Sequence, residues 1–383
     1  MMYLNNVILL AIINTIFAKT IPKSSTSFEL KIFKNSLKLG ENYGFSPYGV
    51  LSVMCMIQSA TAGKSKQQII NITGIDANVF GKIVNVISNS TTVVSEIFVQ
   101  RNIKIQKEFM LNFYGLFNKT VKHVYFNDTN STYIINDYVS KITNGKINDI
   151  ISSDVLSYNT KMVAINAIYF NGDWKHTFPL EGTKDGVFYK DDKTTLTVKM
   201  MTQIGKFNYG EFVIPNTNKY CKVIELPYVD DNISMLVIVP NDNNFSIYKL
   251  LSKINEIDLG ILKTNIKETL IQVSMPKFFI KSKNHLKKSL RKLGITYIFN
   301  KNNANFRAMT TENIYVYKAF QDVQIIVDEQ GTTAQSSTAI VAIARRSINT
   351  ITFNRPFLFF ITYKPYNTIL FSGIVVEPKI VES

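Results

Sequence analysis

The stretch from Glu329 to Ser347 reads Glu-Gln-Gly-Thr-Thr-Ala-Gln-Ser-Ser-Thr-Ala-Ile-Val-Ala-Ile-Ala-Arg-Arg-Ser. Between Thr332 and Ala344 it contains neither proline nor charge, so every backbone N–H can join a ladder and no ionised side chain must be desolvated on pairing. The stretch can therefore become a strand. Strand alternation would give one face a set of mostly small side chains, which could slip under a packed layer: Thr332, Ala334, Ser336, Thr338, Ile340 and Ala342.

Two charged residues, Arg345 and Arg346, directly follow this uncharged stretch. A trypsin-like protease cuts after such a basic residue because its specificity pocket is acidic. The sequence therefore predicts a protease target at the end of a segment able to form a strand.

Short motifs are spread over the rest of the chain. They are Asn42, Phe45-Ser46-Pro47, Ala62-Gly63-Lys64-Ser65, Ile135-Asn136-Asp137-Tyr138-Val139, Thr143-Asn144-Gly145-Lys146-Ile147, Asn166-Ala167-Ile168-Tyr169-Phe170 with Trp174 and Phe178, Glu225-Leu226-Pro227-Tyr228, Pro276-Lys277-Phe278, Arg355-Pro356-Phe357-Leu358-Phe359 and Gly373 to Pro378. These motifs, together with the hinge Glu329 to Thr332, occur in the order found in the serpins, and the chain therefore resembles that family. Serpins are inhibitors that a serine protease cleaves and that then trap the protease.

The resemblance implies an α+β fold with three β-sheets, about eight or nine helices and an exposed reactive loop. It also implies a mechanism: the loop is cut outside the fold, its hinge side inserts as a new central strand, and the acylated protease is distorted. Serpin loop insertion is a known example of such a transition. The hinge residues would be Glu329, Gly331, Thr332, Ala334, Ser336 and Thr338.

The family's usual spacing, fourteen residues on from Gly331, places the scissile residue at Arg345. Cleavage after Arg346 is the alternative, because it would put the small Ser347 after the bond, as in many members of the family. It would do so at the cost of a loop one residue longer. Either arginine would fill an acidic pocket with its forked donors.

The resemblance also places Ser46 and Asn166 in a polar cluster beneath the sheet that opens. Where most members have His, this chain has Gln321, which can still donate and accept hydrogen bonds but does not titrate. The chain departs from the family pattern at three further positions: Gln330 replaces a common acidic residue, Gly49 replaces a Ser and Tyr138 replaces a Trp.

The composition indicates one large domain. The chain has 383 residues, 46% hydrophobic, with 26 Phe and 19 Tyr to fill a core and no linker to divide it. The apolar run from Val7 to Phe17 resembles a signal peptide, so we expect residues 1–18 to be a leader and 19–383 to be one serpin domain. A buried N-terminal helix of a cytosolic protein is the alternative.

Catalysis, cofactors and metals are not expected of this chain. It has three His and no Gly-x-Ser-x-Gly elbow, phosphate loop or zinc spacing. Cys55 and Cys221, the only cysteines, stand among apolar neighbours and are predicted to be buried free thiols, with one disulfide as the alternative.

Glycosylation and polyanion binding are the other predicted surface functions. Asn-x-Ser/Thr sequons occur at Asn71, Asn89, Asn118, Asn127, Asn130, Asn232 and Asn244. The net charge is +15, and four cations share one side of a predicted helix over Lys283 to Leu293: Lys287, Lys288, Arg291 and Lys292. They are candidates for heparin-like glycosaminoglycans, although a merely solvated face explains them as well. No nucleic-acid motif accompanies the charge.

Against heparin, the segment Lys82 to Arg101, where we expect the helix that heparin-binding serpins use, is nearly uncharged in its middle. Runs rich in β-branched residues predict strands over Met162 to Phe170, Ser234 to Val239 and Leu270 to Phe279.

Together these features predict a secreted, monomeric serpin, similar to those of poxviruses, that inhibits plasmin-like, urokinase-like, tissue plasminogen activator-like or thrombin-like proteases. A non-inhibitory serpin that acts as a cell-surface or glycosaminoglycan-binding module is the alternative.

Overall fold

The computed structural model describes residues 23–87, 92–152, 154–157, 159–170, 172–242, 245–253, 262–263, 265–330 and 348–380. Eight α-helices are described: α1 Lys23–Ser36, α2 Pro47–Ala60, α3 Gly63–Thr73, α4 Ala77–Ile87, α5 Lys107–Phe117, α6 Ser131–Ile142, α7 Ile247–Ser252 and α8 Leu286–Lys292. None of the helices in these ranges is long and apolar enough to cross a membrane.

A nine-stranded sheet gathers most of the C-terminal strands. Its order is β1-β14-β13-β8-β7-β6-β9-β12, with β5 also paired to β6. The strands are β1 Tyr43–Phe45, β5 Lys184–Tyr189, β6 Thr195–Val213, β7 Tyr220–Pro227, β8 Ile233–Pro240, β9 Lys267–Pro276, β12 Asn349–Thr352, β13 Phe357–Tyr363 and β14 Thr368–Val375. The 19-residue β6 pairs with β5, β7 and β9, so it joins strand groups into one hydrogen-bonded network.

A second sheet has five strands in the order β10-β11-β4-β2-β3. They are β2 Thr92–Gln100, β3 Lys122–Val124, β4 Met162–Phe170, β10 Phe278–His285 and β11 Lys318–Val327. The predicted strand over Met162 to Phe170 is confirmed with the same ends, because its β-branched residues are buried on both faces.

Helix α2 fills the centre of the core. Pro47 opens it, where a missing N–H costs nothing, and the Ser46 hydroxyl accepts a hydrogen bond from the Gly49 N–H at 3.0 Å. Nearly every residue of the helix is buried, Cys55 included. The start of α2 therefore lies fixed beneath the five-stranded sheet.

Two sequence predictions of element ends are wrong. The predicted strand over Leu270 to Phe279 is two strands, because β9 ends at Pro276, which lacks an N–H, and β10 begins at Phe278 in the other sheet. The predicted helix over Lys283 to Leu293 begins only at Leu286, because Lys283 still pairs with Asp322 in the β10–β11 ladder.

The segment Lys82 to Arg101 is also not one helix. Helix α4 ends at Ile87, and β2 runs from Thr92 to Gln100. The sequence of β2, Thr-Val-Val-Ser-Glu-Ile-Phe-Val-Gln, is rich in the β-branched and aromatic residues that favour strands.

Candidate functional site

The centre of the five-stranded sheet is a seam between two parallel strands, β4 and β11. They pair directly, from Lys318 opposite Val163 to Ile325 opposite Phe170. Strands that run parallel cannot be joined by a tight turn. A chain that leaves the end of β11 and reverses would therefore run antiparallel to both strands, and it could be accommodated between them as a sixth strand.

The chain that leaves β11 is the predicted hinge, and its first residues are held at the top of the seam. The Asp328 carbonyl accepts a hydrogen bond from the Trp174 indole at 3.0 Å, and the Glu329 carbonyl accepts one from the Phe178 N–H at 3.1 Å. The predicted hinge residue Glu329 is buried at 5% exposure. The hinge therefore begins at a fixed position.

The Glu329 carboxylate is anchored by two side chains from other parts of the chain. It accepts a hydrogen bond from the Thr183 hydroxyl at 2.8 Å and pairs with the Lys277 ammonium at 2.7 Å. Burial alone would raise the pKa of Glu329, but the hydrogen bonds from Lys277 and Thr183 outweigh it and hold the pKa below its usual range. The sequence did not indicate that either residue would contact Glu329.

The remaining predicted residues of the loop lie outside the described residues. They are Gly331, Thr332, Ala334, Ser336 and Thr338 of the hinge, and Arg345 and Arg346 at the reactive bond.

The predicted sheet-opening cluster is assembled. Gln321, Asn166 and Ser46 are each almost fully buried. The Gln321 amide donates to the Ser46 carbonyl and to the Asn166 Oδ1, both at 2.8 Å, and its oxygen accepts from the Ser46 N–H at 3.0 Å. Because Gln321 and Asn166 are direct partners in the β4–β11 register, their hydrogen bond crosses the seam.

Gly49 makes this arrangement sterically possible. A Cβ placed on Gly49 would lie 2.1 Å from the Asn166 Oδ1, far inside contact distance. With any larger residue at position 49, Asn166 would have to leave the orientation in which it accepts from Gln321. In the sequence, Gly49 and Gln321 are two separate departures from the family pattern. In the structure they are linked, because Gly49 leaves the space in which Asn166 accepts the hydrogen bond from Gln321.

Three comparisons with known proteins fit this geometry. The model of the family described as "Serpin (serine protease inhibitor)" matches residues 23–378. The chain belongs to the serpin family. This serpin is 37% identical to plasminogen activator inhibitor 1 of Neovison vison over 92% of each chain, and 32% identical to serine proteinase inhibitor 1 of myxoma virus over 88% of this chain and 87% of that one.

Among solved structures, native protease nexin-1 with heparin matches with a TM-score of 0.82 and 31% identity, over 93% of this chain and 98% of that chain. The predicted serpin fold is thereby confirmed.

The predicted basic cluster of this serpin lines a groove. Lys287, Lys288, Arg291 and Lys292 of α8 surround it with His285, Lys318 and Ala319, so no carboxylate is among its described lining residues. The Lys287 ammonium donates to the Tyr317 carbonyl at 3.1 Å and lies over the rings of Phe299 and Tyr317. Burial, then repulsion from Lys318 and Arg291, lowers the pKa of Lys287. The groove is a site of uncompensated positive charge.

The predicted glycosylation sites differ in their surroundings. Asn118, Asn127, Asn130 and Asn232 are exposed, whereas Asn89 and Asn244 lie outside the described residues. Asn71 is also exposed, but the threonine of its sequon, Thr73, is fully buried and donates to the Ile69 carbonyl at 2.7 Å. The serine of the Asn232 sequon, Ser234, is fully buried as well and donates to the Glu225 carboxylate at 2.6 Å, so the Asn71 and Asn232 sequons are the least accessible of those described.

Cys55 and Cys221 are both free and buried, as predicted. Burial raises the pKa of the Cys221 thiol to about 12, so it stays protonated and unreactive.

Proposed function

We propose that this serpin inhibits a trypsin-like serine protease by acting as a suicide substrate cut after Arg345. The observation that carries the proposal is the parallel seam between β4 and β11, which continues directly into the anchored hinge at Glu329. The small, uncharged residues that follow the hinge suit a strand that must enter a packed sheet.

The covalent chemistry belongs to the protease. Its serine oxygen attacks the Arg345 carbonyl carbon, the bond to the Arg346 nitrogen breaks, and that nitrogen leaves as an amine after taking a proton from the protease histidine. The acyl-enzyme then joins the protease to Arg345. This serpin supplies the loop and the sheet, and we propose that it needs no cofactor and has no catalytic activity of its own.

The energy for trapping would come from the inserted strand. Insertion breaks the one ladder between β4 and β11 and forms two, one on each side of the new strand. The net gain is one ladder, about eight hydrogen bonds at roughly 1 kcal/mol each, plus burial of the inward face. The intact form is therefore metastable, because the loop can insert fully only after cleavage frees one end.

The arginine points to proteases with an acidic specificity pocket, and the likeness to a plasminogen activator inhibitor supports plasminogen activators among them. We propose urokinase-like, tissue plasminogen activator-like, plasmin-like or thrombin-like proteases as targets.

Incubation with a panel of these proteases tests the proposal. A complex that survives denaturing electrophoresis, lost in Arg345→Ala and retained in the matched control Arg346→Ala, is the expected result. The reverse pattern would move the scissile bond to Arg346. Cleavage without any stable complex would make the chain a substrate rather than an inhibitor.

We propose further that the protein is secreted and glycosylated, with residues 1–18 removed and Asn118, Asn127 and Asn130 as acceptor sites. Expression in a eukaryotic secretory host tests this: the medium should contain protein that begins after residue 18 and loses mass with a glycosidase. Protein retained in the cells at its full, unmodified mass would contradict it.

A glycosaminoglycan-binding function, alone or beside inhibition, is the second candidate. The acid-free groove at α8 favours it, and a similar solved serpin was crystallised with heparin. Retention on heparin that is lost when Lys288, Arg291 and Lys292 are replaced by Gln would support it. Elution at low salt, or unchanged retention of that variant, would remove the α8 groove as the site.

A further inference from the structure

The opposite face of β11 carries a buried carboxylate that the cluster at Gln321 does not use. Asp322 is 1% exposed, and neither of its oxygens has a hydrogen-bond partner among the described residues. An unpaired buried carboxylate is costly in a folded protein. Asp322 lies on a strand that borders the seam, so opening of the seam changes its surroundings.

The charged groups around Asp322 come from two elements. Lys283 is its direct partner in the antiparallel β10–β11 register, and Lys281 lies two residues away on β10. Asp149 acts on it from the segment that follows α6. On the other side, β4 presents Ala167, and Tyr169 is the only ionisable residue of that strand.

Helix α6 and the segment up to Ser152, here called the strap, lie over this face of the sheet. Two hydrogen bonds between the Asn136 amide and the Ile151 backbone hold the strap together. Its apolar residues pack in one cluster with residues of all three strands beneath it: Val94 and Phe98 of β2, Val163, Ile165 and Ala167 of β4, and Phe320 of β11. The Tyr138 hydroxyl also donates to Glu96 of β2 at 3.1 Å. The strap is therefore attached mainly to the β2–β4 side of the seam.

Among the residues that the structure describes, one ion pair links the strap to the β10–β11 side of the seam. The Lys283 ammonium of β10 contacts the Asp149 carboxylate at 2.8 Å. A strand inserted between β4 and β11 would separate the two sides by about 4.8 Å, the spacing of neighbouring strands. Because this displacement is larger than the 2.8 Å between the Lys283 and Asp149 side chains, insertion must break this ion pair or separate the strap from β4.

We propose that Lys283 exchanges carboxylates when the sheet opens, from Asp149 across the seam to Asp322 on its own side. Directly opposed residues of an antiparallel pair have their Cβ atoms about 5 Å apart, well within the reach of a lysine side chain. Moving the strap would also admit water to Asp322. The closed sheet thus keeps Asp322 without a partner, and the opened sheet provides one.

The exchange makes insertion depend on pH. Burial, opposed by Lys281 and Lys283 and reinforced by Asp149, raises the pKa of Asp322 to about 6 in the closed sheet. Pairing with Lys283 and contact with water would lower it, so the opened sheet binds fewer protons. Opening is then favoured above pH 6 and disfavoured as the pH falls through 6, by about tenfold in the opening equilibrium at pH 5.

Uptake of a synthetic peptide of the sequence Thr332 to Ala342 tests the exchange without any protease, with uptake followed by native electrophoresis. This inference depends on the proposed insertion, so wild type is the first control: no uptake by wild type would overturn both. We expect Asp149→Asn to take up the peptide about two- to fivefold faster, the range for an exposed ion pair. The matched control Asp137→Asn, which removes the pair with Lys141 within α6, should leave the rate unchanged.

Asp322→Asn should take up the peptide more slowly than wild type at pH 7.5 and at the same rate at pH 5, where wild type slows. In a Lys283→Gln background, Asp149→Asn should have no further effect, and Asp322→Asn should have a smaller effect than in wild type, because only the contact with water then favours the Asp322 carboxylate in the opened sheet. Thermal melts of each intact variant show that it is folded. The exchange is overturned if folded Asp322→Asn keeps the wild-type rate and pH profile, or if both Asp→Asn changes shift the rate in the same direction.

Discussion

Replacing Gln321 by Ala should weaken the closed sheet at its seam. The substitution removes three buried hydrogen bonds, two to Ser46 and one to the Asn166 Oδ1. The Ser46 carbonyl keeps the Val50 N–H as a donor at 3.2 Å, so two buried groups lose the partner they have here: the Ser46 N–H and the Asn166 Oδ1. At about 1 to 3 kcal/mol each, we expect the free energy of unfolding to fall by about 2 to 6 kcal/mol.

Of these three side-chain bonds, only the one between Gln321 and Asn166 crosses from β11 to β4, so only its loss adds to the effect of the backbone ladder on opening of the seam. Its net worth of about 0.5 to 1.5 kcal/mol corresponds to a roughly two- to twelvefold faster opening. The assay is the half-life of inhibitory activity at 37 °C in the absence of protease. Gln324→Ala is the matched control, because Gln324 is a buried glutamine on the opposite face of the same strand. A half-life equal to that of wild type, in a variant that is destabilised, would refute the role of the bond in holding the seam.

Three further outcomes are expected. Gly49→Ala should lower unfolding free energy by about 1 to 3 kcal/mol in urea, since the new methyl group displaces Asn166; an unchanged midpoint would contradict the packing. Glu329→Gln should cost about 1 to 3 kcal/mol at pH 7 by removing the charge that faces Lys277. Because folding lowers the Glu329 pKa, this difference should shrink as the pH falls below the ordinary value of 4.5, and a pH-independent difference would count against the ion pair. Thr332→Arg should turn the inhibitor into a substrate, seen as cleaved protein without complex, because an inserting arginine must be desolvated; full inhibition would argue against insertion.

Much of the fold could be predicted from local patterns. The strand over Met162 to Phe170 and the helix after Ser46-Pro47 have strong local signals, a β-branched run in one case and a capping serine with proline in the other. The helix predicted from Lys283 failed at its start because three residues of β10 have a helix-compatible pattern, and only pairing with β11 decides their structure. Tertiary pairing overrides local propensity there.

The candidate site shows the same limit. Family motifs placed Ser46, Asn166 and Gln321 in one cluster, and the structure brings the three residues into contact. The partners of Glu329 could not be predicted, because Thr183 and Lys277 are distant in sequence and the motif that contains Lys277 does not indicate which residue it contacts. Asp322 did leave a signal, as an acid within the apolar strand Lys318–Val327, but only the structure shows that it lacks a partner.

The most direct measurement is the melting temperature of the protein before and after a single cut in the reactive loop. A net gain of one ladder, about 8 kcal/mol, predicts that the cut form melts about 10 °C above the intact form, because unfolding a chain of this length has an entropy of about 0.8 kcal/mol/K. If cutting leaves the melting temperature unchanged or lowers it, the cut segment does not enter between β4 and β11, and the inhibitory mechanism proposed for this chain is contradicted.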